Sequence, residues 1–205
     1  MTANSLTNRM LRRIRGRGRG TVFTAKDFLD LGGRSSVDWV FHDLTADGVI
    51  RRIGRGIYDY PRVNERLGIT VAPDPAEVAE AIARKSGAEV APSGAVAANQ
   101  LGLSTQVPAK LHFLTNSPSK TVKVGNQTFV FKRVAPKDFA AERTLAAATL
   151  RALKHLGREA AQDQAVVERL QARLSEHDKR ELLRLAAYGS DWRRAVAQQI
   201  AEDVG

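Results

Sequence analysis

Glycines cut the first sixty residues into pieces too short for anything but brief helices and one tight hairpin. Gly16, Gly18 and Gly20 end the first piece, Gly32 the second and Gly48 the third, while Gly54 and Gly56 bracket a single arginine. Glycine weakens a helix interior and favours its end, so each piece reads as one element. In the first, Leu6, Met10 and Ile14 recur at helical spacing with Leu11 beside them, leaving Arg9, Arg12 and Arg13 elsewhere on the wheel. In the second, Thr24 is placed as an N-cap with Asp27 three residues on. Phe23 and Phe28 take the staple positions, and Gly32 is expected as a left-handed C-cap.

The third piece is expected to start at Ser35 or Ser36, with Asp38 completing its cap. Val37, Val40, Phe41 and Leu44 form a buried stripe; Ser36, Trp39, His42 and Asp43 remain outside, with Arg34 at the amino end. Val49 to Ile53 and Ile57 to Tyr60 then read as strands around Gly54-Arg55-Gly56. Three helices followed by a hairpin is the winged helix-turn-helix order, which assigns the third helix to the major groove. The candidate DNA-binding residues are Arg34, Ser35, Ser36, Trp39 and His42 on that helix, and Arg51, Arg52 and Arg55 on the hairpin. Two bland readings stand beside this one: Trp39 as a core or interface aromatic, and His42 as an ordinary surface residue.

Charge favours a polyanionic partner. The chain has 32 basic and 22 acidic residues, a formal net charge of +10, and residues 1–66 hold +6 of it. No acid precedes Lys26, while arginines accumulate, so Arg13, Arg15, Arg17 and Arg19 join the candidate DNA-binding set. The alternating segment Arg15 to Gly20 fits an arginine–glycine RNA element, but reads more simply as a flexible connector beside the DNA face.

The expected division is a winged helix-turn-helix domain over 1–61, a linker over 62–74, a mixed α/β domain over 75–137 and a helical region over 138–205. Asp74, Pro75 and Glu77 open a helix ended by Gly87, and an alanine-rich helix runs from Ser93 to Leu101. Leu111 to Leu114, Lys120 to Val124 and Gln127 to Val134 read as strands, the last two joined through Gly125-Asn126. Thr121, Lys123, Thr128 and Lys132 then lie on a wet, basic face opposite Val122 and Phe129. Phe139 to Leu156, Ala165 to Leu174, Glu176 to Tyr188 and Trp192 to Val204 read as helices. The fold class is α+β, with a small antiparallel sheet and a helical carboxy-terminal region.

No catalytic constellation stands out. Zero cysteines exclude a thiolate nucleophile and any Cys-ligated metal, and the four histidines are scattered. There is no P-loop or nucleophile elbow. Gly189-Ser190, the only Gly-Ser pair, is followed by Glu202 and Asp203 at the terminus rather than by carboxylates on a strand. We expect no enzyme, no cofactor and no metal. No apolar run approaches the roughly 18 residues of a membrane span, and Arg12-Arg13 is followed by more arginine rather than an apolar stretch. A cytoplasmic protein with no membrane partner is the expectation.

The chain resembles the AbiEi-type antitoxins of type IV (abortive-infection) toxin–antitoxin systems. The resemblance is carried by the wing-like run Gly48 to Tyr58, then by Ala91-Pro92-Ser93-Gly94, Leu101-Gly102-Leu103-Ser104 and Leu114-Thr115 in the same order. It implies an autorepressor that binds inverted repeats in its own promoter as double-stranded DNA. It also implies that the remainder counters a cognate nucleotidyltransferase toxin. A winged-helix regulator, or a nucleic-acid or protein-binding module unrelated to a toxin, is the alternative.

Overall fold

The computed structural model describes residues 5–106 and 108–202, and these divide into two compact units. The first runs up to Glu89 and includes Lys123–Asn126; the second holds the rest. The protein is α+β, with small sheets in both units and helices toward the carboxy terminus.

In the first unit, α1 (Leu6–Arg17) buries Met10 and Ile14 and ends at Gly18, whose φ is +86°. Strand β1 (Val22–Phe23) leads into a 3-10 turn, Ala25–Phe28, where the Asp27 carboxylate accepts the Thr24 backbone N–H at 2.8 Å. A full helix was expected here. The segment is too short to nucleate one alone, and Gly32-Gly33 follows at once. Gly32 is not left-handed. Gly33 is instead the N-cap of α2 (Arg34–Ala46), one residue ahead of the expected start, and Asp38 pairs with Arg34 rather than capping.

The apolar stripe of α2 is the one its periodicity dictates: Val37, Val40, Phe41 and Leu44 are all buried. Phe41 meets Phe23, Phe28 and Tyr58 at ring-centroid distances of 5.8, 5.5 and 4.5 Å, so one aromatic cluster ties α2 to β1, the 3-10 turn and the sheet. Gly48, at φ +68°, ends the helix. Strands β2 (Arg51–Gly54) and β3 (Ile57–Asp59) follow, and β3 lies between β1 and β2 in an antiparallel three-stranded sheet. Residues 62–74, expected as a linker, contain a second hairpin, β4 (Arg62–Asn64) and β5 (Ile69–Val71). Helix α3 (Pro75–Ser86), capped by Asp74 and Gly87, packs on β1, β3 and the 3-10 turn, so it belongs with this unit.

The second unit begins with β6 (Val90–Pro92) and α4 (Gly94–Gln100), followed by β7 (Lys110–Thr115), β8 (Lys120–Val124) and β9 (Gln127–Arg133). Its sheet order is β6-β7-β9-β8. The expected antiparallel sheet is therefore mixed: β7 and β9 are parallel, with Leu111 opposite Phe129 and Phe113 opposite Phe131. Local turn chemistry joins β8 to β9, but which strand β7 accepts is a long-range choice that no turn encodes.

The expected helix from Phe139 to Leu156 is two, α5 (Pro136–Glu142) and α6 (Leu145–Leu156), because Thr144 caps the second by accepting the Ala147 N–H. Then come α7 (Arg158–Ala161), α8 (Gln164–Arg173), α9 (Glu176–Ala186) and α10 (Asp191–Ile200). Ser175 and Asp178 form the expected capping box on α9. The expected end of the last helix, Val204, lies outside the described residues. Leu153, Leu170, Leu182, Val196 and Ile200 fill the core between these helices.

Candidate nucleic-acid interface

Because α2 buries one stripe, its opposite face is outward by default. Arg34, Ser35, Ser36, Trp39 and His42 are exposed, and Trp39 keeps 63% of its surface. A large aromatic normally disappears into a core or an interface, so Trp39 is a candidate contact residue. Ser35, Ser36 and Trp39 line a shallow cleft with Leu6 and Thr7 of α1. His42 lies in a second cleft, lined also by Asp38, Thr45, Arg52 and Tyr58. The two clefts run along α2, one toward α1 and the other toward the sheet.

The α2 face itself is not basic. Its cation, Arg34, is held by Asp38 at 2.7 Å, and Asp43 adds a second carboxylate to the helix. The open cations lie beside it. Arg52 and Arg55 of the β2–β3 hairpin and Arg15 of α1 are exposed and make no ion pair among the described residues. The hairpin turn is stiffened from outside: Gly56 has φ +67°, and the Lys85 ammonium of α3 donates to the Arg55 carbonyl at 2.7 Å.

Four arginines of the expected set are occupied by the fold. Arg13 makes a two-point pair with Asp30 at 2.6 and 2.7 Å, donates to the Asp27 carbonyl at 2.8 Å, and lies over the Phe28 ring. Arg17 faces the Asp27 carboxylate at 3.5 Å, across from Arg84 of α3 at 3.2 Å. Arg19 covers the Tyr60 ring at 4.7 Å and donates to the Pro61 carbonyl at 2.9 Å. Arg51 grips the buried Asp59 through two hydrogen bonds of 3.1 and 2.6 Å. The Arg15–Gly20 segment is not a loose tether, since Gly20 donates to the Tyr60 carbonyl and Tyr60 to that of Thr21.

Hydrogen bonding to Arg13 holds the Asp30 carboxyl below the usual carboxylate range, and the same bond raises the Arg13 pKa. A depressed carboxyl stabilises the fold fully above its unfolded value, near 3.9 for Asp, and loses that contribution as pH falls through the lower folded value. The urea midpoint of Asp30→Asn is therefore expected to lie below that of the wild type at pH 5 and to converge on it in acid, once pH has fallen through the lowered folded value. A constant gap across that range would mean that the pair contributes nothing through its charge.

Two cations that the sequence reading passed over, Arg62 and Arg66, sit exposed on the β4–β5 hairpin. The signal was there: Arg62-Val63-Asn64 and Ile69-Thr70-Val71 flank a turn closed by Gly68. Among the described residues, no group of three or more His, Asp or Glu side chains converges on a metal-sized site. Nor, among them, is any helix long and apolar enough to cross a membrane.

No curated protein matches the chain. A family model described as a family of unknown function (DUF6088) matches residues 9–182, most of the sequence, and the chain belongs to that family.

Proposed function

We propose that this member of the DUF6088 family is a DNA-binding antitoxin and autorepressor of the AbiEi kind. In this reading the first unit is a winged helix-turn-helix whose middle helix has shrunk to a 3-10 turn. The element order α1, β1, 3-10 turn, α2, β2, β3 supports it, as does the pairing of β1 with β3. The observation that carries most weight is the outward face of α2, with Ser35, Ser36 and Trp39 presented together and Arg52 and Arg55 directly following on the hairpin. Hydroxyls and an aromatic edge suit base readout, including apolar contact with thymine methyls, while the flanking arginines supply sequence-independent attraction. The second unit would meet the nucleotidyltransferase toxin, a role supported by the likeness of its Pro92-Ser93-Gly94 and Leu101-Gly102-Leu103-Ser104 motifs to those antitoxins. No catalytic role is assigned to any residue.

With Arg13, Arg17, Arg19 and Arg51 engaged within the fold and Arg34 held by Asp38, Arg15, Arg52 and Arg55 leave about three phosphate contacts for α1 and the β2–β3 hairpin. Binding to duplex DNA from upstream of the chain's own reading frame should then draw from these elements a log K against log salt slope of about −2.7. Arg52→Ala and Arg55→Ala should each weaken all duplexes alike and flatten the slope by about 1, whereas Trp39→Ala should relax sequence preference. Two copies on an inverted repeat would place half-sites about 34 Å apart. A flat salt response, or equal affinity for random duplex and the upstream region, would turn attention to a protein partner. Co-expression with a nucleotidyltransferase encoded alongside, scored by growth, tests the toxin half.

A further inference from the structure

The β4–β5 hairpin is built unlike the rest of the first unit. It is a two-stranded sheet of its own, with no third strand on either edge among the described residues. Such a ribbon is marginal in water unless something covers it. Val63, Leu67 and Ile69 are 48%, 58% and 54% exposed, three exposed large hydrophobics within ten residues, of few among the described residues. They do not form one greasy face: Val63 pairs with Thr70 and Ile69 with Asn64, so the two point to opposite sides of the ribbon.

Its tip is nevertheless rigidly held. The Leu67 N–H donates to both the carbonyl and the side-chain oxygen of Asn64 at 3.2 Å, and Gly68 turns the chain at φ +63°. At the base, Arg51 donates to the Val71 carbonyl at 3.3 Å while gripping Asp59, so the ribbon is anchored to the three-stranded sheet. The result is an anchored arm whose tip carries Glu65, Arg66 and Leu67, with Arg62 further down and neither arginine in an ion pair among the described residues.

We infer that this hairpin is a minor-groove arm, in which Leu67 wedges against a base step while Arg62 and Arg66 contact the flanking phosphates. The inference rests on the DNA-binding reading above. Exposed apolar residues of the Leu and Ile type are what minor-groove proteins insert to unstack and kink a duplex, and here Leu67 directly follows Arg66. Phosphate explains the cations and the groove floor explains the exposed Leu67. A second copy of the chain carries a formal net charge of +10 and matches the two arginines less well than a polyanion does.

The test uses the full chain and a duplex of its own upstream region carrying fluorophores at both ends. Energy transfer reports bending and anisotropy reports affinity. Wild-type protein should raise transfer on binding, as a kink of about 20–90° would. Leu67→Ala should abolish most of that rise and weaken binding several-fold, and Leu67→Ile should restore both. Arg66→Gln should flatten the salt slope by about 1 while leaving the bend in place. Leu67 is exposed, so the melting temperature should not move. If the wild type binds without bending the duplex, or Leu67→Ala bends it equally, the arm assignment falls and the DNA reading stands. Absence of any duplex binding overturns both. A change in sedimentation of Leu67→Ala without DNA would show the tip to be a contact between copies, and the arm assignment would be rejected.

Discussion

Gly94→Val should be among the most destabilising single substitutions in the second unit. Gly94 opens α4, and a Cβ there would lie 2.6 Å from the Arg151 carbonyl oxygen and 2.9 Å from the His155 Cβ of α6. The obstacle is backbone, which cannot rotate away as a side-chain tip would. The two helices are close because both are lined with small residues, Ala97 and Ala98 on one and Ala148 and Ala152 on the other. Forcing extra carbons into such a contact costs about 1–3 kcal/mol, and a β-branched side chain belongs at the upper end of that range. A chain of this length loses about 2–4 °C of melting temperature per kcal/mol, so a fall of about 6–12 °C is expected. Gly16→Ala is the matched control. Gly16 is helical, with nothing within 4 Å of its added methyl, and should gain about 0.5–1 kcal/mol. Equal melting of Gly94→Val and the wild type would mean that α4 and α6 are not in this contact.

In the first unit the largest loss is expected from Arg51→Ala. Asp59 is only 1% exposed and is charge-compensated by Arg51, whose own pKa is raised chiefly by the hydrogen bond to Asp59. Removing the guanidinium strands a buried carboxylate and also takes the donor from the Val71 carbonyl. Breaking a fully buried pair costs about 3–5 kcal/mol. About a third of the Arg51 side chain is exposed, so about 2–3 kcal/mol is the better expectation. The double variant Arg51→Ala/Asp59→Asn should recover part of the loss, because the stranded charge is gone. Urea unfolding of the three variants measures this, and a single-variant loss within ~0.5 kcal/mol would show that Asp59 is satisfied without Arg51.

The aromatic cluster and the α2 stripe were readable because they are local: Val37, Val40, Phe41 and Leu44 announce a helix face without reference to the rest of the chain. Caps were equally readable at Thr24, Asp74 and Ser175, where the capping bond spans three residues or fewer. The arginines were not. Arg15 and Arg17 look alike in sequence, yet Arg15 makes no ion pair among the described residues while Arg17 meets Asp27. Arg51 and Arg52 are adjacent, but strand alternation turns one onto Asp59 and the other outward. Which cation belongs to the candidate interface is decided by partners that folding brings near, and a charge count cannot see them.

Periodicity, capping residues and glycines thus settled by themselves the buried stripe of α2, the two ends of α3, the start of α9, and that a hairpin with an arginine turn follows α2. Those features depend on neighbours within about one helical turn or one strand pair, and nearby residues carry them. Three other features were left to the tertiary structure. One is the parallel pairing of β7 with β9, and another is the placing of α3 in the first unit. The third is the division of the arginines between structural clamps and open surface. Each joins residues far apart in the chain, and free energy chooses such partners only once the whole unit has closed around them.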